Sequence, residues 1–163
     1  ACEGRLDLLV NNVGDFLYKP LPETSLAEWD AVLRSNLTSA FLCTKAALPF
    51  LRERGGQIIS IASMHAETLR PVPNTLPYAI GKTGLVLLTK SLAKSEAPYG
   101  IRANAVCPGY IQTAADPSID PATIPLGRLG DPAEIAGVVR FLASDEAAYV
   151  TGAVINVHGG ALL

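Results

Sequence analysis

The stretch that decides the fold runs from residue 57 to residue 107. Here two apolar runs, QIISIAS (57–63) and RANAVC (102–107), enclose a helical pattern, PYAIGKTGLVLLTKSLAKSEA (77–97). Both runs have the length of a strand and are nearly continuous in small aliphatic residues, which is typical of parallel strands covered by helices on both faces. A strand, a helix and a second strand in this order form a βαβ unit. The stretch therefore predicts an α/β fold built on a parallel sheet.

The same alternation continues on both sides of this unit. Further strands are predicted at 6–11 and 153–157, from their aliphatic runs. A capping box that opens with Ser25 starts a helix that continues towards Arg54, with a bend near Asn36. Another helix starts at Asp131 and continues through Leu142. The whole chain, 1–163, is predicted to be one domain.

The segment 110–129 differs from the rest of the chain. It carries three prolines and shows little periodicity, so no helix or strand is predicted in it. Loops of this length in a compact domain commonly serve as lids or binding loops. We expect a flexible flap over these residues.

Composition excludes several classes of protein. The 163 residues are 49% hydrophobic with a net charge of −2, which excludes disorder and leaves no basic face for nucleic acid. No apolar stretch reaches the length of a membrane span, and no metal-ligand spacing is present. Three cysteines, Cys2, Cys43 and Cys107, stand in apolar runs, which predicts reduced, buried thiols and a cytoplasmic protein.

Tyr78 and Lys82 are four residues apart within the predicted helix at 77–97, so their side chains project from one face. A free phenol has a pKa of about 10, and a nearby cation favours the phenolate. The pair therefore suits acid/base catalysis at neutral pH. Tyrosine and lysine also meet at this spacing on many solvated helices, so the pair alone indicates little.

Polar residues at predicted strand ends strengthen the hypothesis. Ser63 ends the run 57–63, and the segments 11–14 and 108–113 follow two other strands. Asn36 stands inside a predicted helix, where asparagine is a poor choice unless its amide makes a local contact. Ligands of open α/β sheets bind at the carboxyl ends of the strands. These features therefore predict one site, in which Ser60 is the alternative to Ser63.

In this order, the motifs resemble those of the short-chain dehydrogenase/reductase family. They are Asn11-Asn12-Val13-Gly14, Asn36, Ser63, Tyr78-x-x-x-Lys82, Arg102-x-Asn104-x-x-x-Pro108-Gly109 and Val157-x-Gly159-Gly160. The resemblance implies a Rossmann-type sheet and hydride transfer between a nicotinamide cofactor, NAD or NADP, and a small alcohol or carbonyl substrate. It also implies a homo-oligomer paired through the helices near 36–54 and 77–97.

The resemblance also implies residue roles. Tyr78 is expected to be the general acid/base, and Ser63 to position and polarise the substrate oxygen. Lys82 is expected to bind the nicotinamide ribose and lower the pKa of Tyr78, and Asn36 to hold a water of a proton relay. Tyr78 is also an expected cofactor contact, and the remaining ones are Asn11, Gly14, Pro108, Gly109 and Thr113.

The chain departs from the family pattern in one important respect. The family's glycine-rich turn, Gly-x-x-x-Gly-x-Gly, does not occur, and the resemblance begins just before the fourth family strand. That turn supplies the N–H groups that bind pyrophosphate. We therefore expect a fragment or truncated form that lacks the first three family strands, binds dinucleotide weakly and has little activity alone. The alternative is a non-catalytic remnant that serves as an oligomerisation or binding module.

Two smaller departures concern histidines. Ser63 lies fifteen residues before Tyr78, slightly more than is usual in the family, so the intervening loop has two extra residues and includes His65. His158 stands where the family commonly has aspartate before the paired glycines. His65 stands at the more usual distance from Tyr78 and could reach substrate, but a surface position in the loop is expected. His158 is expected at the surface or at an interface.

Overall fold

A computed structural model describes residues 4–113 and 119–163, and in these ranges four parallel strands form one sheet. The strands are β1 (Leu8–Asn11), β2 (Gly56–Ile61), β3 (Ile101–Pro108) and β4 (Val154–Val157), in the spatial order β1-β2-β3-β4. Val10 pairs with Ile59 and Val106 with Ile155, which sets the register. The predicted α/β class, the parallel sheet and the four strand positions are confirmed.

Helices flank the sheet on both faces: α1 (Leu26–Leu33), α2 (Ser39–Leu51), α3 (Leu76–Ser95) and α4 (Pro132–Ala143). The capping boxes form at both predicted helix starts. At the first, Glu28 N donates to Ser25 Oγ, and Ser25 N donates to the Glu28 carboxylate at 2.8 Å. At the second, the same arrangement joins Asp131 and Glu134. These reciprocal bonds satisfy N–H groups that the first helical turn leaves unpaired.

The bend expected near Asn36 is a π-helical turn, Arg34–Thr38, between α1 and α2. The helical pattern was expected to continue towards Arg54, but α2 ends at Leu51. The chain then turns into β2 through Gly55, whose φ of 79° favours glycine. Pro49 lies within α2 and does not interrupt it.

The core has two layers, one on each face of the sheet. Buried residues of α2 and α3 pack against Ile58 and Ile101 on one face. Leu142 of α4 packs against Ile59 and Val106 on the other. Because both faces of β2 and β3 are covered, these strands are aliphatic at nearly every position.

At the edge of the sheet, β1 pairs with β2 and with no other strand among the described residues. Val10 is 39% exposed. Beside this edge lies an apolar groove of about 410 Å³. It is lined by Gly4, Arg5, Leu6, Leu9, Cys43, Ala46, Ala47 and Phe50.

The prediction that every cysteine is buried is wrong for Cys43, which is exposed on α2. Cys107 is buried, and Cys2 lies outside the described residues.

The predicted flap, 110–129, is tied down at its ends. Gln112 N donates to Gly130 O at 2.7 Å, and Gly130 N donates to Tyr110 O at 2.9 Å. Near its end, Arg128 forms a bidentate ion pair with Glu134 of α4. Residues 114–118 lie outside the described residues, and flexibility of the flap stays a prediction.

In the described ranges, no helix combines the length and the apolar character needed to cross a membrane.

Candidate active site

Tyr78 and Lys82 lie in the first two turns of α3, next to the carboxyl end of β2. Lys82 is only 4% exposed. Its Nζ donates to the carbonyl oxygen of Ile61, the last residue of β2, at 2.8 Å and lies 5.7 Å from the centre of the Tyr78 ring. Ser63 follows β2 by two residues and is half-buried, as is Tyr78. The structure therefore gathers the three residues at the end of one strand.

Burial dominates the titration of this group. It raises the pKa of the Tyr78 phenol above its ordinary value, while hydrogen bonding with the Ser63 side chain lowers it. Burial also lowers the pKa of Lys82 to about 8. Burial is the largest effect on Tyr78 because desolvation disfavours the phenolate. The expectation that Lys82 lowers the pKa of Tyr78 stays a prediction.

Asn36 lies in the π-helical turn and is fully buried. Its Nδ2 donates to Asp15 O at 2.8 Å and to Val32 O at 3.0 Å. Its Oδ1 is buried and has no hydrogen-bond partner in the described parts of the chain. A buried acceptor without a donor is costly, so this oxygen is suited to a water or a ligand group.

Gly14 brings Asn36 and Lys82 together. A Cβ at Gly14 would overlap Asn36 Oδ1 and would lie 3.3 Å from Lys82 Nζ. The absence of a side chain at Gly14 therefore lets the buried Asn36 amide pack directly against this glycine, close to Lys82 Nζ.

Other residues predicted at the site occupy different positions. Asn11 is buried, and its Nδ2 donates to Thr44 Oγ1 of α2 at 3.2 Å, which is a packing contact. Ser60, the alternative to Ser63, is buried and accepts from Thr89 Oγ1 of α3 at 2.9 Å. Its hydroxyl faces a helix, and the geometry therefore favours Ser63.

Pro108 is the last residue of β3, the strand next to β2, and Gly109 and Thr113 follow it. Gly109 N donates to Val157 O at 3.0 Å, and a Cβ at Gly109 would lie 2.6 Å from the Cβ of His158. Thr113 is exposed. These residues share the carboxyl edge of the sheet with Tyr78, as predicted from their positions after the strand. His158 is half-buried rather than on the surface, because it packs against Gly109 and its Nδ1 accepts from Gly160 N.

Comparison with known proteins agrees with this geometry. The family model described as enoyl-(acyl carrier protein) reductase matches residues 1–161. A solved structure described as a short-chain alcohol dehydrogenase of Sinorhizobium meliloti superposes with a TM-score of 0.92 at 36% identity, covering 99% of this chain and 68% of that one. The chain belongs to the short-chain dehydrogenase/reductase family.

Relatives within that family are named for different substrates. The 3-oxoacyl-[acyl-carrier-protein] reductase FabG of Thermotoga maritima is 39% identical over 98% of this chain and 68% of its own length. The 3beta-hydroxysteroid dehydrogenase 1 of Eggerthella lenta is 40% identical over 98% of this chain and 65% of its own length. The chain spans about two thirds of the length of the curated relatives it matches.

Two further residues lie near Tyr78: Phe16, which the sequence analysis missed, and Cys107, which it predicted only as a buried thiol. The ring of Phe16 packs edge-to-face on the Tyr78 ring, with centroids 5.0 Å apart and planes at 80°. The Cys107 thiol lies beneath the site, where burial raises its pKa to about 11 while a backbone hydrogen bond with Ser63 acts to lower it. The position of Cys107 at the end of a strand could have signalled its proximity, whereas nothing in the sequence around Phe16 could.

His65, which was expected at the surface, follows Ser63 by two residues. It is half-buried, and its Nδ1 is buried without a hydrogen-bond partner among residues 4–113 and 119–163. Burial, with the nearby Arg70, lowers its pKa below the ordinary value. His65 is therefore neutral at pH 7.

Proposed function

We propose that this chain carries the catalytic part of an NAD(P)-dependent oxidoreductase that moves a hydride between a nicotinamide ring and an alcohol or ketone. The proposed catalytic residues are Asn36, Ser63, Tyr78 and Lys82. One observation carries the proposal: a buried lysine, a half-buried tyrosine and a serine converge at the carboxyl end of β2. Burial of an ammonium is costly, and a purely structural helix does not need one at this position.

The nicotinamide end of a dinucleotide fits the residues present. Lys82 has three N–H donors, and among the described residues only the Ile61 carbonyl accepts from it, so it can also donate to the ribose hydroxyls. Gly14 lies next to both Lys82 Nζ and Asn36 Oδ1, which has no donor in the described residues. We propose that the nicotinamide contacts Pro108, Gly109 and Thr113 on the side of β3. Asn11, at the end of β1, is proposed to hold this part of the site in place through its hydrogen bond to Thr44.

The phosphate end lacks its usual partner in this sequence. Because no Gly-x-x-x-Gly-x-Gly turn is present, we expect the 163 residues alone to bind NAD or NADP only at about 1 mM or weaker, or roughly −4 kcal/mol. Calorimetry that gives a micromolar dissociation constant for this chain would show that another segment binds the phosphates.

The proposed chemistry follows from the protonation states. When bound, the nicotinamide supplies or accepts the hydride. Because burial raises its pKa, Tyr78 is a protonated phenol at pH 7 and can donate to a carbonyl oxygen of the substrate. Ser63 donates a second hydrogen bond to that oxygen, where negative charge develops. The ammonium of Lys82 stabilises the phenolate that Tyr78 becomes, and Asn36 Oδ1 accepts from a water that returns the proton.

Substitution of Tyr78 tests the proposal. In the longest natural form of the protein, Tyr78→Phe should abolish turnover and leave cofactor affinity within about twofold, because only the hydroxyl is removed. Tyr149→Phe, at an exposed tyrosine, is the matched control and should leave turnover unchanged. Turnover preserved in Tyr78→Phe would refute the catalytic role. A wild-type protein that binds cofactor but turns over no alcohol or ketone would favour the non-catalytic module.

The substrate class is proposed only at the level of the reacting group. Two relatives are named a 3-oxoacyl reductase and a 3beta-hydroxysteroid dehydrogenase. The compounds in these names share a ketone or a secondary alcohol and differ in the rest of the molecule. We propose a small-molecule alcohol or carbonyl substrate for this chain. No feature of α1 to α4 favours one of these two compounds over the other.

A homo-oligomer is also proposed, with pairing through the outer faces of α2 and α3. Phe41 and Leu42 of α2 and Leu87 of α3 are exposed, Leu87 by 67%. Exposed apolar side chains on adjacent helices mark an interaction surface. Sedimentation should show an oligomer at micromolar concentration, and Leu87→Glu should shift it to a smaller species. A monodisperse wild-type monomer would contradict the proposal.

The open edge of β1 needs a cover in the working protein. Unpaired strand edges template aggregation, and the apolar groove beside β1 adds uncovered surface. We propose that this edge is covered by a preceding segment, by a second copy paired along it, or by helices that move over it. Hydrogen exchange of the β1 amides separates these covers. Protection that rises with the concentration of the chain indicates a second copy, protection independent of concentration indicates helices, and protection found only in a longer form indicates a preceding segment.

A further inference from the structure

Phe16 combines an exposed position with contact to the proposed catalytic tyrosine. It is 63% exposed, and its ring meets the Tyr78 ring at 80° with the centroids 5.0 Å apart. In this edge-to-face arrangement, much of the phenylalanine ring has no protein neighbour. Apolar area left in water is unfavourable by about 25 cal/mol per Å², so a molecule that covers the ring gains affinity.

The backbone on both sides of Phe16 is fixed by hydrogen bonds. On one side, Asp15 N donates to Ser35 Oγ at 3.0 Å. On the other, Lys19 N donates to Asn74 O at 2.6 Å, which ties the segment to the loop before α3. The ring is therefore held beside Tyr78 before any ligand arrives, and a ligand pays little to order it.

The surface around Phe16 favours a neutral, apolar group. Val13 and Tyr18, in the same segment, are also exposed. The Lys19 ammonium is paired with Glu28 at 2.8 Å, and the nearby Asp15 carboxylate disfavours an anionic ligand group. Because the Phe16 and Tyr78 rings are in contact, a ligand whose oxygen meets the Tyr78 hydroxyl binds close to the exposed part of the Phe16 ring.

We propose that Phe16 is a specificity-determining residue that contacts the substrate and selects a ketone or secondary alcohol with a flat, neutral apolar group next to the reacting carbon. This inference rests on the proposed function, because it takes Tyr78 as the residue that binds the reacting oxygen. It adds the chemical class of the group that lies beside that oxygen. An aryl ketone fits it, and a short aliphatic ketone does not use the ring.

Ligand binding without turnover gives the first test. Acetophenone and 2-butanone are titrated against the chain by saturation-transfer NMR. Phe16→Ala should weaken acetophenone binding about 10-fold, which is the effect of losing one aromatic contact, and leave 2-butanone within about twofold. Phe16→Leu should give an intermediate loss, because it keeps apolar volume without a flat face. Phe141→Leu, at a partly exposed phenylalanine of α4, is the matched control and should change neither ligand.

The outcomes separate this inference from the proposed function. Equal acetophenone affinity in the wild type and Phe16→Ala, or no acetophenone binding to the wild type at its solubility limit, overturns the role of Phe16. A second readout is the ratio of kcat/KM for the two ketones in the longest natural form, which Phe16→Ala should lower about 10-fold. Phe16-dependent binding with no turnover of any ketone refutes the proposed function and leaves Phe16 as part of a binding site. Turnover with no aryl preference refutes the inference alone.

Discussion

The stability of the protein should depend on pH through Lys82 in an unusual direction. The folded pKa of Lys82 is about 8, against an ordinary value of 10.5, because the ammonium is buried. Between these values, the unfolded chain binds more protons than the folded one, so folding stability rises with pH. At about 1.4 kcal/mol per pKa unit, the charged lysine destabilises the folded protein by about 3 kcal/mol below pH 8, and this cost disappears above pH 10.5.

Lys82→Met removes the titrating group and keeps most of the side-chain volume. It also deprives the Ile61 carbonyl of its donor, at a cost of about 1–3 kcal/mol that does not vary with pH. The difference in unfolding free energy between the wild type and Lys82→Met should therefore change by about 3 kcal/mol between pH 7 and pH 10.5, in favour of the wild type at high pH. Raised pKa values of Tyr78 and Cys107 act in the opposite direction, but both proteins contain them and they largely cancel.

Urea unfolding at a series of pH values measures this difference, with midpoint and slope fitted together. Lys94→Met, which removes an exposed lysine from the same helix, is the control for loss of a lysine from α3. A difference between the wild type and Lys82→Met that stays constant within about 0.5 kcal/mol from pH 7 to pH 10.5 would refute the reasoning. It would mean that Lys82 reaches water when charged, and that the space around it is not dry.

Three further results are expected. Glu96→Gln should destabilise the protein by about 1–2 kcal/mol at pH 7, because it breaks a 2.7 Å ion pair between Arg52 and a buried carboxylate. This pairing lowers the pKa of Glu96, so the loss of unfolding free energy measured in urea should shrink as pH falls through the acid range. A thiol reagent should label Cys43 quickly and Cys107 only on unfolding, because Cys43 is exposed and Cys107 is buried with a pKa of about 11; equal labelling of both in peptide mass maps of the folded protein would contradict this. Gly14→Ala should lower both the free energy of unfolding and the cofactor affinity, because its methyl carbon would overlap Asn36 Oδ1 and displace that buried side chain; an unchanged unfolding midpoint in urea would contradict this.

The sequence predicted the sheet well because its signal is local. Four aliphatic runs of strand length gave four strands within two residues at each end, and the capping box at Ser25 marked a helix start that the hydrogen bonds reproduce. The end of α2 was predicted less well. The residues after Leu51 are good helix formers, and tertiary packing decides where the helix stops.

The proposed site was predictable in its residues but not in its energetics. Tyr78, Lys82 and Ser63 were recognisable from spacing and from the ends of strands. The direction of the Tyr78 pKa was not, because it depends on how deeply α3 is buried, and spacing says nothing about burial. Phe16 was missed because its segment has no periodicity, and only the pairing of that segment with the loop before α3 brings the ring to Tyr78.

The features of this fold that cost stability lie close together, and their position argues for a site rather than a scaffold. Lys82 is a buried ammonium, and Asn36 presents a buried acceptor without a donor in the described residues. The turn that carries Asn36 is π-helical, a rare form that occurs mostly at functional sites. Both side chains lie next to Gly14. A helix pair kept only for packing or oligomerisation would be more stable with methionine at Lys82 and no buried amide. Sequences violate such local rules mainly where function requires it, and these violations share one location, beside Tyr78.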